Sequence, residues 1–436
     1  MKATKLRVGI ALALPLALVL TSCSAGGTGD VATTLTVQTD SYALPGFQLV
    51  ADKFEAENPG VTVEFQVLTP DQQSTTNLQV LTSSDAPDIA SAPFNSTVFT
   101  EMLAADQFLP IDDVWADADL QSRYGDALAN AISPEGKKIG VLFSKVLYGI
   151  AWYNKAIFAE AGIDVPADHQ IGTMDNLKSI VAKIRAAGYQ PLSIGGSSNY
   201  HFTWILDNLL ATATTPEELT NYTTSFNKSV PVTSSYTDAP FTKSLDRIKE
   251  MYDDGVFQDG VLGMDQDAAL ALFAAGQAGM MMGHNQSPAG VKGKDSNVDM
   301  GFLFLPPISA AVTQPDFYAG NLLEIPVNAK NPDLAKKFLI MLMSDEMQVA
   351  AIEATGGALP GISITDSTQF AKAPESVREL IEFDAKYGNA AGWASLVPAK
   401  LGTTDPLIQK LVLGETTSHD IGVELDALLE EIRNGG

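Results

Sequence analysis

The spacing of apolar residues changes repeatedly along the chain, and the changes outline an alternating α/β protein. Leu35-Thr36-Val37-Gln38 has the alternation of a short strand, and Phe47, Val50, Ala51 and Phe54 then recur at helical spacing over 45–57. Asn58-Pro59-Gly60 stops that helix, and 61–67 alternates strictly, as a half-buried strand does. Together they form a β-α-β unit, which implies a parallel sheet. A helix over 73–81 and a strand over 87–90 extend it, the strand leading into the polar loop Phe94-Asn95-Ser96.

A second α/β region opens near Tyr148. Residues 147–153 read as a strand, and helices are predicted over 155–161, 175–187, 244–254 and 267–275. Each stops at a glycine (162, 188, 255 or 276), the residue best suited to a left-handed cap. Residues 278–282 form a buried strand whose three consecutive methionines would suit a soft metal, although their alternation on a strand favours core packing. A strand over 322–326 and a helix over 332–343, with Pro332 in its first turn after the capping candidate Asn331, precede a mainly helical tail.

The N-terminus follows another logic. Lys2, Lys5 and Arg7 precede an apolar run over 8–20 that is short for a membrane span and right for a secretory signal. Leu20-Thr21-Ser22-Cys23 follows, and Cys23 is the only cysteine in 436 residues. These residues resemble the lipobox of bacterial lipoproteins, a resemblance that implies cleavage before Cys23 and lipidation of its thiol. Two acyl chains there would anchor the protein stably. Ser24 to Asp30 is a small-residue tether.

Composition narrows the function. A hydrophobic content of 45% is that of a globular protein. The 52 acidic against 27 basic residues give a formal charge of −25, which argues against nucleic acid as a partner. The four histidines, at 169, 201, 284 and 419, share no metal-ligand spacing, so neither a metal nor a cofactor is expected. Nucleophile-elbow and phosphate-loop motifs do not occur, and no catalytic residue is assigned. Asp112-Asp113 and Asp253-Asp254 are adjacent acids whose side chains diverge, as caps or solvated turns do.

Several blocks, in order, resemble the extracellular solute-binding proteins (family 1) of carbohydrate ABC importers, the group that includes maltodextrin-binding proteins. They include Phe54 to Val63 around Asn58-Pro59-Gly60, Ala86-Pro87-Asp88-Ile89-Ala90, and Leu109-Pro110-Ile111-Asp112-Asp113. The longest runs from Tyr148-Gly149-Ile150-Ala151-Trp152-Tyr153-Asn154-Lys155 to Gly162. Phe273 to Met280 and Ile325-Pro326-Val327-Asn328-Ala329-Lys330-Asn331-Pro332 complete the set. Two departures stand out. Thr173-Met174-Asp175 lacks the usual aromatic, and Gly283-His284-Asn285 stands where the family often has glycine and an aromatic.

The resemblance implies a two-lobed α/β fold of the type II periplasmic-binding-protein kind. Each lobe would be a mostly parallel sheet flanked by helices, with the ligand cleft between the lobes. The expected division is a signal over 1–22, a tether over 23–33, lobe 1 over 34–147 and 306–360, and lobe 2 over 148–305 and 361–436. The implied function is non-enzymatic: a monomeric, lipid-anchored protein outside the cell membrane captures a neutral saccharide, closes on a hinge and presents it to ABC permease subunits.

A sugar needs aromatic faces for its C–H side and amides or carboxylates for its hydroxyls. Loops after strands supply Asp40, Ser41 and Tyr42, then Phe94 and Asn95, and His284 and Asn285; Ser144 and Tyr148 stand near the expected hinge, Trp204 follows the loop 197–201, Asn321 follows 318–320, and Trp393 lies between two helical stretches. Asp40 is equally placed to cap the next helix, and Trp204 to pack in the core. With Asp40 the one charged member, polyamines and anionic solutes fit less well than neutral polyols. A glycoside hydrolase would need two carboxylates converging across the cleft.

Overall fold

In the computed structural model the described residues are 33–40, 43–68, 73, 77–94, 96–294, 296–309, 312–318, 321–355, 359–364 and 374–435. The signal, Cys23 and the tether up to residue 32, with Ser41, Tyr42 and Asn95, lie outside them, whereas Thr33, expected to end the tether, opens the first strand. The strands follow in the order β1 (Thr33–Thr39), β2 (Val61–Val67), β3 (Ala90–Pro93), β4 (Gly140–Leu142), β5 (Ser144–Asn154) and β6 (Gln190–Ser193). Then come β7 (Ala278–His284), β8 (Met300–Leu303), β9 (Asp316–Tyr318), β10 (Asn321–Glu324), β11 (Leu359–Pro360) and β12 (Ala390–Ala391).

The β-α-β unit forms as its pattern demands. Strands β1 and β2 pair in parallel from Thr33 opposite Val61 to Thr39 opposite Val67, around the helix Leu44–Glu57. The third strand begins later than expected, at Ala90, because Ile89 makes only an isolated bridge to Val37 and Asp88 accepts the Thr36 amide at 2.9 Å. The helix expected over 73–81 is described only as Leu78–Leu81. Glycines 162, 188, 255 and 276 have positive φ at the ends of their helices. Asn331 precedes the helix Pro332–Leu342 without capping it, its amide donating instead to the Thr34 carbonyl at 3.0 Å.

The sheets are mixed where the sequence suggested mostly parallel ones. Strand β10 runs antiparallel to both β3 and β4, and β5 runs antiparallel to β7, β8, β9 and β11. The reason is connectivity: β5 and the β9–β10 segment carry the chain from one core to the other and so meet their neighbours head-on. Strand β6 keeps the parallel arrangement with β7.

One core gathers Leu35, Val37, Phe54, Trp115, Leu142, Leu322 and Phe338. Another gathers Phe158, Leu177, Phe202, Leu206, Phe241 and Leu425. A third cluster, on the far face of the β5 sheet, holds Trp152, Phe302, Phe304 and Phe383. The methionine run divides as strand alternation requires: Met280 and Met282 enter the second core and Met281 the third. The adjacent acids occupy helix ends, with Asp113 on Lys336 at 2.7 Å, Asp253 on Lys249 at 2.9 Å and Asp254 on Lys178 at 2.8 Å.

Strand β5 carries one irregularity that matters for the site. Tyr148 faces His284 and Ile150 faces Gly283, so Gly149 is a bulge. Its φ is +73°, and a Cβ there would collide with the Asn208 amide, so glycine answers both demands.

Candidate functional site

Strands β6 and β7 run parallel, β6 ending at Ser193 opposite Met281 and β7 three residues farther on at His284, so the loops leaving them share one edge of the sheet, the place where open α/β sheets carry ligands. The loop after β6 passes through Gly195 and Gly196 in contact with a neighbouring loop. A Cβ on Gly195 would lie 2.5 Å from the Gln266 nitrogen, and one on Gly196 2.5 Å from the Val261 oxygen. The loop then enters the helix His201–Ala213, and the Gly195 amide donates to His201 Nδ1 at 2.5 Å.

The start of that helix is capped from far along the chain. Buried Asp405 accepts the amides of Phe202 and Thr203 at 2.9 and 3.2 Å, and the Thr203 hydroxyl as well. Burial pushes its carboxyl up to about 6, against the pull of these donors. A carboxylate at this position also meets the positive end of the helix dipole.

The first turn of the helix presents a cluster of rings centred on half-buried Trp204. Its ring lies 5.5 Å from Tyr148, 5.2 Å from Tyr200, 4.8 Å from His201 and 5.9 Å from His284, centroid to centroid. Tyr200 is 38% exposed, so the patch reaches solvent. Burial pushes the imidazoles of His201 and His284 down to about 3 and 4, and raises the Tyr148 phenol. At neutral pH the two imidazoles and the Tyr148 phenol therefore carry no charge.

Behind the rings lies a polar layer. The Tyr148 hydroxyl donates to Asp207 Oδ2 at 2.7 Å, and the Ala394 amide to Asp207 Oδ1 at 3.1 Å. Asn208 Nδ2 donates to Asp316 Oδ2 and to the Gln314 carbonyl at 3.3 Å. Burial raises both carboxyls, Asp207 to about 7. These acids support the patch from inside and do not converge on an open space.

Of the sequence candidates, Tyr148, Trp204 and His284 come together here. Tyr200 and His201, which the sequence reading passed over, complete the patch; their positions four and three residues before Trp204 put them on its helix face. Asn285 is placed inside the fold, fully buried, with Oδ1 accepting the Leu147 amide at 3.0 Å. Trp393 is likewise core, fully buried, its indole donating to the Tyr236 hydroxyl at 3.2 Å. Ser144 pairs with Pro360 where β5 begins. On the first sheet, Asp40 Oδ1 accepts the Ala43 amide at 2.8 Å ahead of the helix Leu44–Glu57, and Phe94 packs on Phe99 at 5.0 Å. Asn321 opens β10 opposite Pro93.

A family model described as bacterial extracellular solute-binding protein matches residues 40–349. An uncharacterized ABC transporter extracellular-binding protein of Pyrococcus horikoshii is 23% identical over 381 residues, 86% of this chain and 81% of the relative. The diacetylchitobiose binding protein DasA of Streptomyces coelicolor is 24% identical over 287 residues, 65% of this chain and 60% of the relative. Among solved structures, a chitin oligosaccharide binding protein aligns with a TM-score of 0.76 at 20% identity, covering 92% of this chain and 99% of its own. At that identity the likeness establishes the fold, two α/β lobes of the type II kind.

Proposed function

The chain belongs to the bacterial extracellular solute-binding proteins, and on that premise we propose that it captures a neutral saccharide between its lobes, stacked on Trp204, for delivery to an ABC permease. The observation that carries the reading is the uncharged ring cluster at the ends of β6 and β7. A pyranose offers a flat C–H face that Trp204 and Tyr200 can cover, whereas a charged solute finds no opposing charge on these rings. The saccharide-binding names of DasA and of the aligned chitin oligosaccharide binding protein support the same class.

Binding is the whole chemistry of this proposal. Ligand contacts made by both lobes stabilise the closed arrangement, and the permease recognises that arrangement. A thermal-shift panel tests the class, because a solute that binds only the native protein raises the melting temperature by mass action. Chitooligosaccharides, xylooligosaccharides, raffinose and maltodextrins are expected to include a stabiliser that is recovered unchanged. Stabilisation by polyamines, peptides or anionic solutes alone, or consumption of the saccharide, would refute it.

The reading also includes a lipid anchor on Cys23 and residence, as a monomer, on the outer face of the cell membrane. Full-length protein made in a bacterial host should partition into the detergent-rich phase, and Cys23→Ala should move it to the aqueous phase. Equal partitioning of the two would remove the anchor from the proposal.

A further inference from the structure

Asp207 and Asp316 lie inside the fold at 2% and 0% exposure. Asp316 opens β9 directly across from Tyr148 of β5, and Asp207 stands in the helix that carries the ring cluster. From β5 the pair is faced by the Tyr148 hydroxyl, itself bonded by Ser395, from the helix by Asn208, and from the segment after β12 by the Ala394 amide. The charge of Asp405 also reaches Asp207. Lys145, on the same strand as Tyr148, is engaged by Asp384 at 2.6 Å. The histidines of the patch are neutral, so the groups that face the two acids bring no positive charge to either.

Two buried oxygens here lack a partner: Asp316 Oδ1 and Asn208 Oδ1. They belong to the side chains already joined through Asn208 Nδ2 and Asp316 Oδ2. A carboxylic acid and an amide meeting this way can close a ring of two hydrogen bonds, the acid accepting through one oxygen and donating through the other. An ionised carboxylate can only accept, and would leave both buried oxygens without a donor.

We propose that Asp316 is a neutral acid at physiological pH and that its pairing with Asn208 is a proton-dependent fastener between the crossing strand β9 and the helix His201–Ala213. Strand β9 lies in the chain between Leu305 of the second core and Leu322 of the first, so the fastener acts where the lobes join. Loss of the proton loosens β9 from the helix that bears Trp204.

The sign follows from linkage. Burial raises the Asp316 carboxyl well above its ordinary value, so the native state keeps a proton that the unfolded chain has released. Its contribution to stability is full at low pH and falls away as pH rises. Neutral His201 and His284 act in the opposite sense, costing stability as pH falls below their ordinary 6.5. The test is therefore a difference between proteins.

Melting temperatures of the parent and of Asp316→Asn are compared from pH 5 to pH 8. Asparagine offers an N–H where the acid offers O–H, so the variant keeps the two-bond pairing without a titration of its own. The melting temperature of the variant relative to the parent should therefore rise by roughly 3 °C or more between pH 5 and pH 8. Parallel profiles would overturn the proposal. If the variant does not accumulate, hydrogen exchange on the parent decides: protection of 312–318, corrected for intrinsic rate, should fall between pH 6 and pH 8 relative to that of β2. Unchanged relative protection would overturn the fastener. Neither readout needs a ligand, so failure here leaves the solute-binding reading standing.

Discussion

Replacing Trp204 by alanine is expected to weaken saccharide binding about thirtyfold, a loss of about 2 kcal/mol for a stacked indole removed from a sugar face. Trp204 is half-buried and has rings on several sides: Tyr148, Tyr200, His201 and His284. Its indole is the centre of the patch, and no other side chain described there can replace that area. The fold should lose little, because the rings behind it are held by their own bonds, Tyr148 through Asp207 and His201 through the Gly195 amide. Titration calorimetry with the saccharide found by thermal shift reads the affinity, and Trp204→Phe should recover part of it. An alanine variant that binds like the parent would remove Trp204 from the site.

The opposite division is expected for Trp393→Ala. This side chain is fully buried among Tyr236 and Phe241, with ring centroids 5.5 and 5.2 Å away, and it donates to the Tyr236 hydroxyl. Truncation leaves a large cavity and strips the buried phenol of a donor, a cost of about 3–5 kcal/mol. The melting temperature should drop by roughly 10 °C. Protein that still folds at low temperature should keep its saccharide affinity within about twofold, equivalent to less than about 0.5 kcal/mol. A stable variant with lost affinity would return Trp393 to the cleft.

The contrast between these tryptophans shows what the sequence could and could not reveal. Trp393 sits in Ala390-Ala391-Gly392-Trp393-Ala394, small residues between two helical stretches that favour a cleft position for the indole. The smallness has another cause: a Cβ on Gly392 would collide with the Tyr148 hydroxyl that bonds Asp207. Only the three-dimensional neighbour explains the glycine.

Where periodicity was strict, the reading held closely. Strand β2 runs from Val61 to Val67 as its alternation predicted, and the helices ended by Gly162, Gly188, Gly255 and Gly276 stop where those glycines were expected to stop them. Local rules of spacing and capping decide such elements. Strand direction in the sheets was less legible, since it depends on how often the chain crosses between cores.

The ring cluster was partly legible. Tyr200, His201 and Trp204 share helical spacing, so a reading of i, i+3 and i+4 positions would have grouped them. His284 joins them only because β7 lies beside β6. The remote cap by Asp405 and the pairing of Asn208 with Asp316 join residues that no local spacing connects.

The most direct test of the account is a structure of the protein with the saccharide that stabilises it most. The account predicts a pyranose lying flat on the Trp204 indole, in van der Waals contact with it, enclosed by residues of both lobes. A saccharide lodged away from Trp204, or held by one lobe alone, would contradict it.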